Sequence, residues 1–157
     1  MESCEYLLIQ DPTQSTIAPY SEKMNELGKK FYATLDSSDE PMENLTARIS
    51  EYKTLVLLLD KDIPDSRNQV IGFALLTALG NSNEIDLSAA YIDESHRKRG
   101  LAGRMFDKLI EEARRMGSQT IVATVGINAM RIVDKMLEQR GFIASNNGLG
   151  DYYLRLK

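Results

Sequence analysis

A single cysteine, Cys4, in 157 residues excludes any internal disulfide and points to a reducing, cytoplasmic setting. Long apolar runs are missing too. None approaches the ~20 residues that a membrane span requires. The start of the chain, MESCEYLLIQ, carries glutamates and lacks the basic opening of a signal peptide. Positive charge is in deficit: 19 lysines and arginines face 23 carboxylates, for a net charge of −4. That balance weighs against a broad phosphate-neutralising face, so no nucleic-acid partner is expected. No repeat, low-complexity tract or Pro/Gly/Ser linker divides the chain. The expectation is one domain over residues 1–157, with no membrane partner and no metal, as a monomer or homodimer.

What is present is an ordinary globular composition, 43% hydrophobic and 27% charged, long enough to bury a sizeable core. EYLLIQ (5–10) reads as a first strand. Ile17, Met24, Leu27, Phe31 and Leu35 then recur at helical spacing over 13–35. Asp39 and Pro41 suit the opening of a second helix reaching about Tyr52. TLVLLL (54–59) and VIGFALLTAL (70–79) are buried strands joined as a hairpin, and EIDLSAAYID (84–93) alternates as a further strand. A helix over 100–116 carries Leu101, Met105, Phe106, Leu109, Ala113 and Met116 on one stripe, and Gly117 stops it. TIVATV (120–125), a helix capped by Asn128 and closed at Gly141, and a final hairpin of FIAS and YYLRL complete the chain. The succession β-α-α-β-β-β-α-β-α-β-β gives an α/β fold, a mixed and mostly antiparallel sheet with helices on both faces.

The stretch HRKRGLAGRMFDKLIEEARRMG (96–117) gathers cations where a helix begins. A helix N-terminus presents unpaired N–H groups and roughly half a positive charge, so cations there oppose the macrodipole. One reading is a solvated helix start; the other is an anion site. Gly100 and Gly103 let the backbone approach a ligand closely, and Arg97, Lys98, Arg99 and Arg104 add charge suited to pyrophosphate. His96 alone is an ordinary polar loop residue.

RKRGLA matches the pattern Q/R-x-x-G-x-G/A, and in this context the chain resembles the GNAT superfamily of acetyl-CoA-dependent N-acetyltransferases. The context is a preceding strand, a long amphipathic helix after it, and a second helix ending in RGF before a closing hairpin. The resemblance in element order covers nearly the whole chain; the residue match is confined to about 90–142. It implies a GNAT-like fold, with Arg97, Lys98, Arg99, Gly100, Leu101, Ala102 and Gly103 wrapping the pyrophosphate of coenzyme A. It implies that Ala90, Tyr91 and Ile92 offer backbone groups to the pantetheine arm where two strands splay, an N–H near Ile92 polarising the thioester carbonyl. Asn128 resembles an asparagine that touches the cofactor, and a plain helix N-cap explains it equally well.

The pattern also breaks. Many members carry a tyrosine four residues before the glycine of the GF pair, as the acid that protonates the departing thiolate; here that position is Leu137. For a general base, Asp86 is the first candidate and Glu84 the second, because an amine attacks only when neutral. Simple alternation puts both on the strand face that carries Ala90 and Ile92. The resemblance further implies an acceptor pocket walled by the first two helices, where Asp36, Asp39, Glu40 and Glu43 would meet a cationic amine, unless they form a solvated acidic loop. The function expected is transfer of acetyl from acetyl-CoA to a primary amine, on a small molecule or a protein, by direct attack in a ternary complex. The rival is a catalytically silent acyl-CoA-binding module acting as a sensor or interaction protein.

Overall fold

The computed structural model describes residues 4–33, 45–78, 83–96, 100–124, 130–144 and 151–156. Strand β1 (Cys4–Gln10) leads into helices α1 (Gln14–Ile17) and α2 (Ser21–Ala33). Strands β2 (Thr54–Asp60), β3 (Val70–Ala78) and β4 (Glu84–Ile92) follow, then helix α3 (Leu101–Arg115), β5 (Thr120–Thr124), α4 (Met130–Gln139), β6 (Ile143–Ala144) and β7 (Asp151–Arg155). Together the strands form one seven-stranded sheet in the order β1-β2-β3-β4-β5-β7-β6. Every neighbouring pair is antiparallel except β4 and β5, which run parallel.

Helices cover both faces of this sheet, which explains why β2 and β3 read as unbroken apolar runs rather than alternating ones. On one face Leu55, Leu57, Phe73, Leu75, Ala89 and Tyr91 pack against Ile17, Met24 and Leu27 of α1 and α2, together with Leu45 and Ile49. On the other, Val56, Leu58, Ala74, Leu76, Ile85 and Leu87 meet Leu101, Met105, Phe106 and Leu109 of α3 and Leu137 of α4. Each large side chain so buried contributes about 1.5–3 kcal/mol, and α3 owes its fixed position to several of them. Among the described residues, no helix is long and apolar enough to cross a membrane.

Two expectations for the leading helices need correction. The helix expected over 13–35 is broken at Pro19, which has no N–H to continue it. Thr13 caps α1 through a reciprocal pair of bonds with Thr16, and Tyr20 N–H closes back on the Ile17 carbonyl before α2 begins. Of the second expected helix, the opening at Asp39 and Pro41 lies outside the described residues, and the described part, Leu45–Glu51, is a 3₁₀ segment kinked at Arg48. Its backbone is claimed from outside: Thr46 N–H donates to the Asn25 side chain at 3.0 Å, and the Gln14 amide donates to the Thr46 carbonyl at 2.7 Å. Such side-chain bonds displace an α-helical ladder. The fold class and the strand succession stand as the sequence suggests, but both leading α-helices come from 13–35.

Candidate active site

Strand β4 changes phase in its middle. Leu75 pairs with Ala89 and the next residue, Leu76, pairs with Leu87, leaving Ser88 as an extra residue on β4. A bulge of this kind bends the strand and re-aims the side chains beyond it. Before it, Ile85 and Leu87 face α3; after it, Ala90 and Ile92 take that face, and Ala89 and Tyr91 turn to α2. Asp86 pairs with Thr77 across the sheet and stands on the α2 face. Its partner is Ser88, whose hydroxyl donates to Asp86 Oδ2 at 3.1 Å and lies 2.6 Å from Thr77 Oγ1. Glu84 and Asp86 therefore share a face with Ala89 and Tyr91, not with Ala90 and Ile92. Uninterrupted alternation from 84 to 92 fails at Ser88.

Beside the bulge, the parallel pairing among the described residues reaches its last position. Register between β4 and β5 runs from Glu84 opposite Thr120 to Leu87 opposite Ala123, and β4 continues five residues further, to Ile92. Those residues lead to the N-terminus of α3. Its N-cap is Gly100, at φ +74, a left-handed conformation that side chains disfavour. Among the described residues no side chain caps the helix, and its first turn holds no acidic residue. Among the described residues, no atom lies within 4 Å of where a Gly100 Cβ would stand. The amides that open a helix of 15 residues carry partial positive charge, chemistry suited to an anion.

The expected cofactor residues fall into three groups. Gly100 is exposed, Ala102 and Gly103 are half-buried, and Leu101 is a core residue whose carbonyl accepts a 2.9 Å bond from the Tyr6 hydroxyl. Ala90, Ile92, Leu101 and Ala102 join one apolar cluster. Tyr91 packs its ring 6.3 Å from both Phe31 and Phe73, so its side chain is committed to the core on the α2 face. Arg97, Lys98, Arg99 and Asn128 lie outside the described residues, as do Asp36, Asp39, Glu40 and Glu43. The space over Gly103 is not kept for a ligand: a Cβ there would lie 2.5 Å from the Arg140 guanidinium. Arg140 itself is anchored to Asp107 at 2.9 Å and to the Met136 carbonyl at 3.2 Å, tying α4 to the first turns of α3.

Leu137 is fully buried in the core between α4 and the sheet.

Between β4 and α3 runs a chain of polar contacts that sequence reading did not find. Lys30 on α2 donates to Asp93 Oδ1 at 2.9 Å, and the Ser95 hydroxyl donates to Asp93 Oδ2 at 2.6 Å. His96 Nδ1 lies 2.7 Å from Ser95 Oγ, and Nε2 lies 2.8 Å from Asp60 Oδ2 at the end of β2. Burial alone would raise the Asp93 carboxyl, but the bonds from Ser95 and Lys30 outweigh it and hold the group below the usual carboxylate range. The same bond to Asp93, with its charge, raises the Lys30 ammonium. The Lys30–Asp93 and His96–Asp60 partners stand 63 and 36 residues apart, and no local pattern announces them.

The model of the acetyltransferase (GNAT) family matches residues 19–142. A comparison with curated protein sequences gave no match. Among solved structures, a GNAT-family acetyltransferase from Staphylococcus aureus superposes with a TM-score of 0.67 at 19% identity, over 98% of this chain and all of that one. Tetrahymena GCN5 superposes with a TM-score of 0.69 at 12% identity, over 98% of this chain and 96% of the other. The N-acetylglutamate synthase of Neisseria gonorrhoeae, solved with coenzyme A and N-acetyl-glutamate, gives 0.66 at 16% identity; 98% of this chain corresponds to 35% of that larger protein. At these identities the likeness is one of fold.

Proposed function

Since the chain belongs to the acetyltransferase (GNAT) family, we propose that it moves an acetyl group from acetyl-CoA to a primary amine by direct attack in a ternary complex. The observation that carries this reading is the left-handed Gly100 opening the long helix α3 beyond the end of β4, whose described pairing with β5 stops at Leu87 and Ala123. The pantetheine arm runs along Ala90, Tyr91 and Ile92. The pyrophosphate meets the first-turn amides of Leu101, Ala102 and Gly103 behind Gly100, with Arg97, Lys98 and Arg99 supplying charge. The relative from Neisseria gonorrhoeae, solved with coenzyme A, supports a CoA donor.

Asp86 serves as the base. It stands on the α2 face, the side on which the acceptor pocket is expected, and its carboxylate is oriented by the Ser88 hydroxyl. Six strand residues, about 20 Å, separate it from Ile92, while Ala90 is about 13 Å away. The reacting carbonyl therefore belongs at the Ser88–Ala90 end of the opening, with water relaying the proton. The ammonium gives one proton toward Asp86, the amine nitrogen bonds to the acetyl carbon, the carbon–sulfur bond breaks, and the nitrogen's second proton passes through water to the departing thiolate, leaving the amide. Water takes that last role because Leu137 sits in the core.

The burial of Leu137 also favours a second reading, a silent acyl-CoA-binding module on the same site. Incubation with acetyl-CoA and a panel of small amines and lysine peptides, following free thiol, separates the two. Amine-dependent thiol release supports the transferase; tight acetyl-CoA binding without release supports the module.

A further inference from the structure

We propose that the acceptor is a monoamine with an apolar stem, laid from Asp86 across Val122 onto the ring of Tyr153, and that Tyr153 determines this specificity. The inference rests on the reading of the chain as a transferase with Asp86 as its base. Strand pairing lines the residues up. Asp86 of β4 pairs with Val122 of β5, Val122 with Tyr153 of β7, and Tyr153 with Ile143 of β6. Paired residues share a face of a sheet, and successive residues of one strand alternate between faces. Ile85, Leu87, Ile121, Ala123, Tyr152 and Leu154 all pack on the α3 face. The row Asp86–Val122–Tyr153–Ile143 therefore stands on the opposite face, that of α2.

On that face the sheet is covered unequally. Its core takes strand residues from β1 to β4, and among the described residues none from β5, β6 or β7. Helices α3 and α4 pack on the other side. Val122 and Tyr153 are half-buried, and Ile143 is 56% exposed. Among the described residues, the Tyr153 ring and hydroxyl have neither an aromatic nor a hydrogen-bond partner. This apolar strip runs on from Asp86, and that continuity names its occupant: the molecule whose amine Asp86 deprotonates. Strands lie about 5 Å apart, so Val122 is one step from Asp86 and Tyr153 is about 10 Å away.

Charge fixes which end is which. Glu84, two residues before Asp86, pairs with Thr120, and Thr120 pairs with Arg155, two residues after Tyr153. Carboxylates thus mark the β4 end of the strip and a guanidinium the β7 end, all on the α2 face. An ammonium belongs beside Asp86. A second ammonium along the row would lose water over Val122 and Tyr153 and approach Arg155, and both effects are unfavourable. Methylenes in the same place gain by leaving water.

The test measures kcat/KM by thiol release, with the full chain at saturating acetyl-CoA and n-alkylamines from propylamine to hexylamine. These amines have nearly one basicity, so the series varies apolar length. The value should rise about threefold per methylene, near the worth of a buried CH₂. Cadaverine has the span of hexylamine with an ammonium in place of the methyl group, and should fall about tenfold or more below it. Tyr153→Ala should flatten the rise beyond butylamine. Tyr153→Phe should keep it, because the ring and not the hydroxyl is used. The wild-type series carries the test if the alanine variant fails to fold. A flat series, a preference for cadaverine, turnover only of amines outside the series, or an unchanged slope in folded Tyr153→Ala overturns the inference alone, provided Asp86→Asn is impaired. Thiol release with no amine at all, or wild-type rates in Asp86→Asn, overturns the reading of the base and the inference with it.

Discussion

Asp86 is half-buried, bonded to Ser88 and set on the α2 face, and its replacement tests one proton. Asp86→Asn keeps the side-chain shape and removes the accepting capacity. Turnover near neutral pH should fall by about 10²–10⁴, the usual worth of a positioned base. Acetyl-CoA affinity should hold, and activity should recover in part at high pH, where free amine is abundant. Glu84→Gln is the control: a comparable loss there, with Asp86→Asn active, moves the role to Glu84. Leu137 gives the opposite kind of expectation. Leu137→Tyr overfills a core site and should cost about 1–3 kcal/mol of stability in urea denaturation, with no gain in turnover. At this scale RKRGLA was legible because glycine beside clustered cations is unusual, and Gly100 does take the left-handed conformation that only such a residue accepts readily. Leu137 lies in the core. Its spacing from Gly141 matches a family position, but spacing along a helix does not say which face the core claims.

The helices and strands carry their own predictions. The Lys30–Asp93 pair joins α2 to the end of β4, and its pH window follows from the two shifts. Because the Asp93 carboxyl is depressed, its contribution is fully present above the usual carboxylate range and fades as pH falls through the depressed value. Because the Lys30 ammonium is raised, its contribution is full below the usual lysine range and fades as pH rises through the raised value. Between these limits Asp93→Asn should lower stability by less than about 1 kcal/mol, since Lys30 is half exposed, and wild type and variant should converge in strong acid. At the other end of α3, the buried Glu112 accepts from Gln10 of β1 and from Arg115. Glu112→Ala should cost about 1–3 kcal/mol by thermal melting, with acetyl-CoA affinity unchanged. Element identity was largely legible, since apolar runs and stripes follow from burial. The bulge at Ser88 was not, because Ile85, Leu87, Ala89 and Tyr91 alternate without a break and only pairing with β3 reveals the extra residue. The break at Pro19 could have been read from that residue alone.

For the whole molecule, one parallel pair, β4 with β5, stands in an otherwise antiparallel sheet, and α3 starts from the left-handed Gly100 after β4. Acetyl-CoA binding at this place is the central claim, and thermal unfolding with ligand in excess tests it most directly. Acetyl-CoA at about 100 times its dissociation constant should stabilise the wild type by about 2.7 kcal/mol. Dephospho-CoA should retain much of that effect, and pantetheine should lose most of it. Gly100→Val, which forces a branched side chain into a left-handed backbone beside the helix end, should abolish the stabilisation. A wild-type melting curve unmoved by acetyl-CoA, or a full effect from pantetheine alone, would contradict the account.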